Sequence, residues 1–421
     1  MARSRALAVG LRPDRVVRRL VDLLGPTGGA ARQSLTALVF NSATSFAAGA
    51  MLVGFGDTWR RLAPMLILVP AAIGLRGNVF STLGNRLSTA IHTGTFRVSF
   101  RADSVLGQNL LASFSLTIVM SVVLAGLAKV LATALGVVQH VSFLELTTVS
   151  VVGGLLGSIV VAAATVALTI GAVRFEWDLD YLVAPTVSTL GDVVTIPALW
   201  VAAQVVIGGA AASVAGGVIT IGAVAIALWS WRTALITVRE IFRESVPVLG
   251  VALVLSALAG LVLQKQQGIL QTLPAIGILQ PAFVSSAGAL GGILCGRIAT
   301  NLHLGSVEAT LSPGPEARAD ASLVFGLAVP IVLANALGAW LTAWISGGDT
   351  SPGFWWVVAV CVLAATVTMA FVAALSYYST IGAWRFNVDP DTYGTPIVTA
   401  SVDFVGTMAL VVTVVLFGLI H

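Results

Sequence analysis

The sequence predicts an all-α polytopic membrane protein of about 11 transmembrane helices, arranged as two parallel five-helix repeats plus one linking helix. Three observations predict it. Of the 421 residues, 57% are hydrophobic and only 10% charged. Apolar runs of about 20 residues, the length a helix needs to cross the hydrocarbon core, recur along the chain. A stretch from Gly171 to Thr195 also returns as Gly382 to Gly406, with ten of 25 positions identical. In such a chain the net charge of +4 concerns topology and lipid head groups, not nucleic acid. Cys295 and Cys361 both fall in apolar segments, which supports neither a disulfide framework nor a zinc cluster.

Residues 1–31 are basic and weakly amphipathic, without the apolar core and cleavage site of a signal peptide. We expect a cytoplasmic helix lying on the membrane surface. The first five-helix repeat is expected over 32–210, with spans near 34–56, 62–92, 104–134, 145–172 and 184–208. The second is expected over 232–421, with spans near 245–264, 271–303, 320–346, 353–381 and 395–420. A constant shift of 211 positions relates the two. It pairs Arg32-Gln33-Ser34 with Arg243-Glu244-Ser245, Ala48-Gly49 with Ala259-Gly260, and Pro70 with Pro281. It also pairs Gly77 with Gly288, Arg86 with Arg297, His92 with His303 and Gly94 with Gly305. One offset holding through several motifs means two homologous halves with few net insertions.

Between the halves lies a further apolar run, expected as a linking transmembrane helix over 211–231. Two five-span units joined directly would face opposite ways, and one added crossing turns the second to face as the first does. The basic residues orient the chain. With the N-terminus inside, fifteen arginines fall on inner segments, against only Arg60, Arg61 and Lys265 on outer loops. The C-terminus is then outside, in a membrane expected to be the plasma or inner membrane. Lys129 falls near the outer end of its span, where its stem can snorkel. The longest interior connection runs only from about Gly305 to Ala321, so function is expected within the membrane.

Asp192 and Asp403 are the leading candidates for chemistry. A carboxylate at membrane depth is costly, roughly 2.5–3.5 kcal/mol on insertion scales, and here the repeat places two at matched positions. Facing a pseudo-two-fold axis, they would form a negative ring of the kind that selects cations. Oxygen ligands suit hard cations such as Mg²⁺ or Mn²⁺. Ser188 and Thr399 stand one turn earlier and add oxygens. The structural alternative is that each Asp is a bonded group holding the bundle together. In the segment Pro70 to Gly94, Pro70, Gly74 and Gly77 weaken the helix, so that carbonyls become free to face a cavity, with Asn78 adding an amide. The alternative there is that small residues simply permit close packing. The second copy has Ala289 in place of Asn78, and Ser285 and Ser286 are the candidates to compensate. Arg86 and Arg297 either pair with carboxylates at the inner mouth or, as we expect, snorkel to lipid phosphate. The pairs Asp178/Asp180 and Asp389/Asp391 either attract cations or cap the helix that follows them.

Two segments, PAAIGLRGNVFSTLGNRLSTA and the twice-occurring Asp-x-Asp pattern in DLDYLVAPTVSTLGD and DPDTYGTPIVTASVD, resemble the MgtE / solute carrier family 41 group of divalent-cation transporters. The resemblance covers both halves. It implies a pore in which a hydrated Mg²⁺ is held by the aspartates of the fifth helices, here Asp192 and Asp403, with Asn78 the asparagine of the second helix. It further implies a two-subunit arrangement fused into one chain. Two departures accompany it: we expect no N-terminal regulatory domain or nucleotide-binding pair, and Ala289 breaks the asparagine motif in the second half.

The expected function is therefore passage of a divalent metal cation, Mg²⁺ first, with Mn²⁺ or Co²⁺ as alternatives. The ion is cargo and no cofactor is expected. The expected partners are the cation and the lipid bilayer, with no nucleic acid and no required oligomer. Protons should compete with the cation at the carboxylates. The competing reading, an intramembrane aspartyl enzyme, fits less well, because Gly191-Asp192 becomes Val402-Asp403 and matched placement suits a pore better than an acid–base pair.

Overall fold

The structure is a computed structural model. It describes residues 28–62, 64–134, 136, 141–175, 179–207, 211–266, 272–303, 305–347, 350–386 and 390–419. The expected surface helix over 1–31 lies almost wholly outside these residues, as do Asp178 and Asp389 and the side chains of Asp180, Asp391, His92 and His303.

The protein is all-α, with no strand among the described residues. The first half comprises α1 (Gly28–Gly54), the short α2 (Gly56–Arg61), α3 (Met65–His92), α4 (Val105–Ala134), α5 (Phe143–Phe175) and α6 (Leu179–Ile207). The linker forms α7 (Ala211–Arg232). The second half comprises α8 (Ile236–Lys265), α9 (Pro274–His303), α10 (Pro315–Ile345), α11 (Phe354–Arg385) and α12 (Pro390–Leu416). Among the described residues, ten helices are long and apolar enough to cross a membrane, and α1 contributes a shorter apolar stretch, Leu38–Gly54. The long helices of the two halves begin and end near positions related by the 211-residue shift.

Most helices match their expected limits within a few residues, but α8 begins well before the apolar run does. Its first turns are amphipathic: Val238, Ile241 and Phe242 are buried, while Glu240, Arg243 and Glu244 are exposed. The period of three to four buries one stripe against the first half, so the helix starts outside the apolar span. The expected break in α3 is absent. The helix is continuous from Met65 to His92 through Pro70, Gly74 and Gly77, and the carbonyl that a missing N–H deprives of its i+4 partner is that of Leu66, opposite Pro70. The glycines there are not forced by close packing either: a Cβ on Gly77 would meet no atom within 4 Å, and one on Gly74 would make ordinary contacts at 3.5 Å.

The first helix of each half packs into the other half. Helix α1 lies against α9 and α10, and α8 against α3 and α4, while each also touches the last helix of its own half, α6 or α12. The two cores follow this exchange. One gathers α3 to α6 with Leu249, Leu253 and Ala257 of α8, and the other gathers α9 to α12 with Leu38 and Phe46 of α1. Two glycines at equivalent positions make these crossings possible. A Cβ on Gly49 would run into the Ile278 backbone, and one on Gly260 would lie 2.5 Å from the Ile67 carbonyl oxygen. Helix α7 flanks α4 and α5, bonded through Thr148 Oγ1 to the Ala212 carbonyl at 2.8 Å, with Val214, Val218 and Ile221 turned outward.

Candidate functional site

The exchange brings three helices to each candidate carboxylate. Asp192 projects from α6 and Ser45 of α1 donates to its Oδ2 at 2.7 Å. Asp403 projects from α12 and Ser256 of α8 donates to its Oδ2 at 2.5 Å. Ser45 and Ser256 are related by the same shift as the aspartates, so one hydrogen bond is built twice. A hydroxyl bonded to a carboxylate contributes roughly 1.5–3 kcal/mol, which offsets part of the cost of burying it. Helix α3 runs past both: a Cβ on Gly74 would lie 3.5 Å from Asp403 Oδ2, and one on Gly191, next to Asp192, would lie 3.9 Å from the Gly77 backbone nitrogen. Among the described residues, the Oδ1 atom of each has no hydrogen-bond donor.

Around this shared element the halves differ. Asp192 Oδ2 accepts a second hydroxyl, from Ser285 of α9 at 2.9 Å. Ser285 is in turn bonded to Asn41 of α1, whose amide nitrogen lies 2.9 Å from its hydroxyl. Next to it, Ser42 and Ser286 are 3.0 Å apart, and Asn335 of α10 donates to Ser286 at 3.1 Å. The positions equivalent to Ser285 and Asn41 are Gly74 and Ala252. With Asn78, Ser256 and Ala71 these line a largely apolar hollow too small to admit a water molecule. The Asn78 side chain is partly buried and has no hydrogen-bond partner among the described residues.

The other expected site residues are placed less directly. The Ser188 side chain lies outside the described residues. Thr399 sits one turn before Asp403, but its hydroxyl donates within α12, to Thr395 at 3.0 Å or Pro396 at 3.1 Å, and it packs against Gly288. Ser285, considered as compensation for the missing second asparagine, instead bonds to the opposite aspartate. Asn41, Ser45 and Ser256 were missed by sequence reasoning. For the two serines a signal existed, because they obey the repeat offset.

Buried charge away from the carboxylates is likewise unequal. Arg76 of α3, only 2% exposed, donates to Thr195 Oγ1 at 2.8 Å and to the Ala72 carbonyl at 2.9 Å. Its guanidinium fits because α5 carries Gly154 and Gly157 beside it. The equivalent of Arg76 is Ala287, which lines a cavity with Asn335 and Thr368. At the other end of α9, Arg297 does not snorkel as expected. It pairs with the buried Asp320 of α10, Nη2 to Oδ1 at 2.6 Å, and Asn301 holds the other carboxylate oxygen at 2.7 Å. Arg86, its equivalent, has Asn109 at the position where Arg297 has Asp320. Lys129 reaches the Val141 carbonyl at 2.7 Å.

Chemically, the centre offers two carboxylates, several hydroxyls and an amide. Among the described residues, no three His, Cys, Asp or Glu side chains converge. So sparse an oxygen set suits an ion that keeps most of its water.

Comparison with known proteins bears on the same helices. The profile of the MgtE family, described as divalent cation transporter, matches residues 69–202 and 280–413, which span α3 to α6 and α9 to α12. Solute carrier family 41 member 3 of Rattus norvegicus is 24% identical over 380 residues, 84% of this chain and 79% of that protein. Solute carrier family 41 member 2 of Xenopus laevis is 27% identical over 389 residues, 86% of this chain and 67% of that protein. No solved structure matches the chain.

Proposed function

Because the chain belongs to the MgtE family of divalent cation transporters, we propose that its cargo is Mg²⁺, passed as a hydrated ion between the two halves with Asp192 and Asp403 at the centre of the path. Family membership makes it a multi-pass transporter and not an enzyme, which removes the intramembrane protease reading. One observation carries the proposal: two membrane aspartates at equivalent positions are held by equivalent serines and flank the same helix, α3, at Gly74 and Gly77. Two like charges in an apolar interior are unfavourable alone and favourable around a divalent cation. Mg²⁺ sheds water reluctantly, and the Oδ1 atoms, Asn78 and the oxygens near Ser188 and Thr399 suit its water shell better than direct ligation. Mn²⁺ and Co²⁺ carry the same charge and are the competing cargo.

The two repeats, 32–210 and 232–421, with 211–231 between them, are proposed to be the halves that flank this path, in one chain that needs no second copy. The arginine distribution supports a cytoplasmic N-terminus and an external C-terminus in a plasma or inner membrane.

The test is divalent flux into liposomes containing the purified protein. Wild type should admit Mg²⁺, and Asp192→Asn and Asp403→Asn should each lower uptake at least about tenfold, a change of about 1.4 kcal/mol in barrier or affinity. Acidification should raise the KM for Mg²⁺ without changing the maximal rate, since protons compete for the same carboxylate oxygens. Full uptake by both variants would make the aspartates structural and sink the proposal.

A further inference from the structure

The same arginine stands near the end of α3 and of α9, at the arginine-rich side proposed above to be cytoplasmic, but it meets different partners in the two halves. In the second half Arg297 donates to Asp320 of α10, from Nε to Oδ1 at 2.7 Å and from Nη2 to Oδ1 at 2.6 Å. Asn301, one turn further along α9, donates to the other oxygen at 2.7 Å, and Asp320 is buried. The connection that follows α9 is fastened as well. Arg385, the last residue of α11, donates to the Ala309 carbonyl from Nε at 3.1 Å and from Nη2 at 2.6 Å, and the Tyr377 hydroxyl donates to the Thr310 carbonyl at 3.0 Å. Hydrogen bonds to an ionised group are roughly twice as strong as neutral ones, so α9, its connection, α10 and α11 are held as one unit.

In the first half each fastening lacks a member. Asn109 stands for Asp320, Ala90 for Asn301 and Val166 for Tyr377. Arg174, the counterpart of Arg385, lies over the ring of its neighbour Phe175 at 5.7 Å. The connection between α3 and α4 is bonded within itself, Ser104 Oγ to the Ser99 carbonyl at 2.6 Å and Arg101 to Asp103 at 3.2 Å. Asn109 is 3% exposed, and its Nδ2 donates to the Val105 carbonyl at 2.9 Å. Its Oδ1 is buried without a hydrogen-bond partner, so Arg86 does not reach it. An unpaired buried acceptor is unfavourable, and the second half shows which donor this position is built to receive.

We propose that Arg86 and Asn109 are a latch between the ends of α3 and α4, open in this structure and closed at another stage of transport, while Arg297 and Asp320 keep the second half fixed. This rests on the cation path proposed above. A neutral amide accepts from a guanidinium more weakly than a carboxylate does, so the latch is made and broken in each cycle where an ion pair would hold. Segments that move in function are drawn from the less fastened parts of a fold. Helix α3 is placed to use that movement, because the helix that carries Arg86 also runs past Asp403 at Gly74 and past Gly191, the neighbour of Asp192, at Gly77.

The experiment gives the first half the carboxylate of the second. Mg²⁺ uptake is read in liposomes, and Mn²⁺ binding to the purified full chain is read by electron paramagnetic resonance. Asn109→Asp should lower the maximal uptake rate about tenfold, because the latch then stays closed, and leave Mn²⁺ affinity within about threefold. Adding Arg86→Gln to Asn109→Asp should restore the rate, since the pair cannot form. A merely structural fault would instead deepen, because the buried carboxylate would lose its counter-charge. In wild type, hydrogen exchange over 94–104 should change on adding Mg²⁺, while exchange over 305–314 stays constant. A wild-type rate in Asn109→Asp, or a double variant as slow as the single one, overturns the proposal and leaves the cation path standing. Should Asn109→Asp fail to fold, hydrogen exchange in wild type decides, and an equal response of the two connections overturns the latch. Wild type that carries no divalent cation overturns the path itself, a separate result.

Discussion

A single missing methyl at Gly157 lets the membrane interior hold a guanidinium. A Cβ there would come within 2.8 Å of Arg76 Nε, and Arg76 has little freedom to retreat because Thr195 and the Ala72 carbonyl hold its other end. Inserting even one carbon into packed surroundings costs about 1–3 kcal/mol. We therefore expect Gly157→Ala to lower the thermal midpoint in detergent, whereas Gly250→Ala, where no atom lies within 4 Å of the new carbon, should be neutral or stabilising. Similar midpoints for the two variants would show that Arg76 yields easily. The same scale separates Asp192 from Asp403: two hydroxyls hold the first carboxylate and one holds the second.

Among the elements, the exchanged first helices decide the most. Helices α1 and α8 each carry the serine that bonds the aspartate of their own half, yet each packs its apolar face into the other half. Their crossing depends on Gly49 and Gly260, where backbone meets backbone. Small residues are what let helices approach closely in a membrane, where lipid tails are as apolar as any side chain. Gly260→Leu should push α8 off α3, displace Ser256 from Asp403, and lower both thermal midpoint and Mg²⁺ uptake. Retention of both would show that the crossing tolerates a wider separation than the backbone contact implies.

For the whole molecule, we propose that the duplication and the linker α7 make the halves face the same way, with the arginine-rich segments on the cytoplasmic side. An impermeant maleimide added outside cells should label Asp57→Cys, near Arg60 and Arg61, and leave Phe100→Cys, between Arg97 and Arg101, unlabelled. Both native cysteines are buried, so background labelling should be low. The reverse pattern would invert the proposed topology. The unequal arrangement of buried charge also belongs to this scale. Arg76 faces no equivalent at Ala287, and the Arg297–Asp320 pair has Arg86 and Asn109 as its counterparts, so a symmetric backbone carries an asymmetric field.

The sequence by itself determined the class, most of the helix limits, the repeat and the pair of aspartates. Those features are local or periodic: apolar length, a constant offset, and the rarity of carboxylates in apolar runs can be read one segment at a time. The serines at 45 and 256 were legible in principle by the same offset, but a hydroxyl in a helix costs little and draws no notice. Only the tertiary structure decided that the first helices are exchanged, that α3 runs unbroken, and that Arg297 takes a carboxylate partner. It alone brought Ser285 to Asp192 and left Gly74 beside Asp403. Each of these depends on which helix faces which across long separations in the chain, and a near-uniform apolar surface does not record that. Helices apolar on every side leave partner choice to the fit of small residues and the few polar groups that must be satisfied.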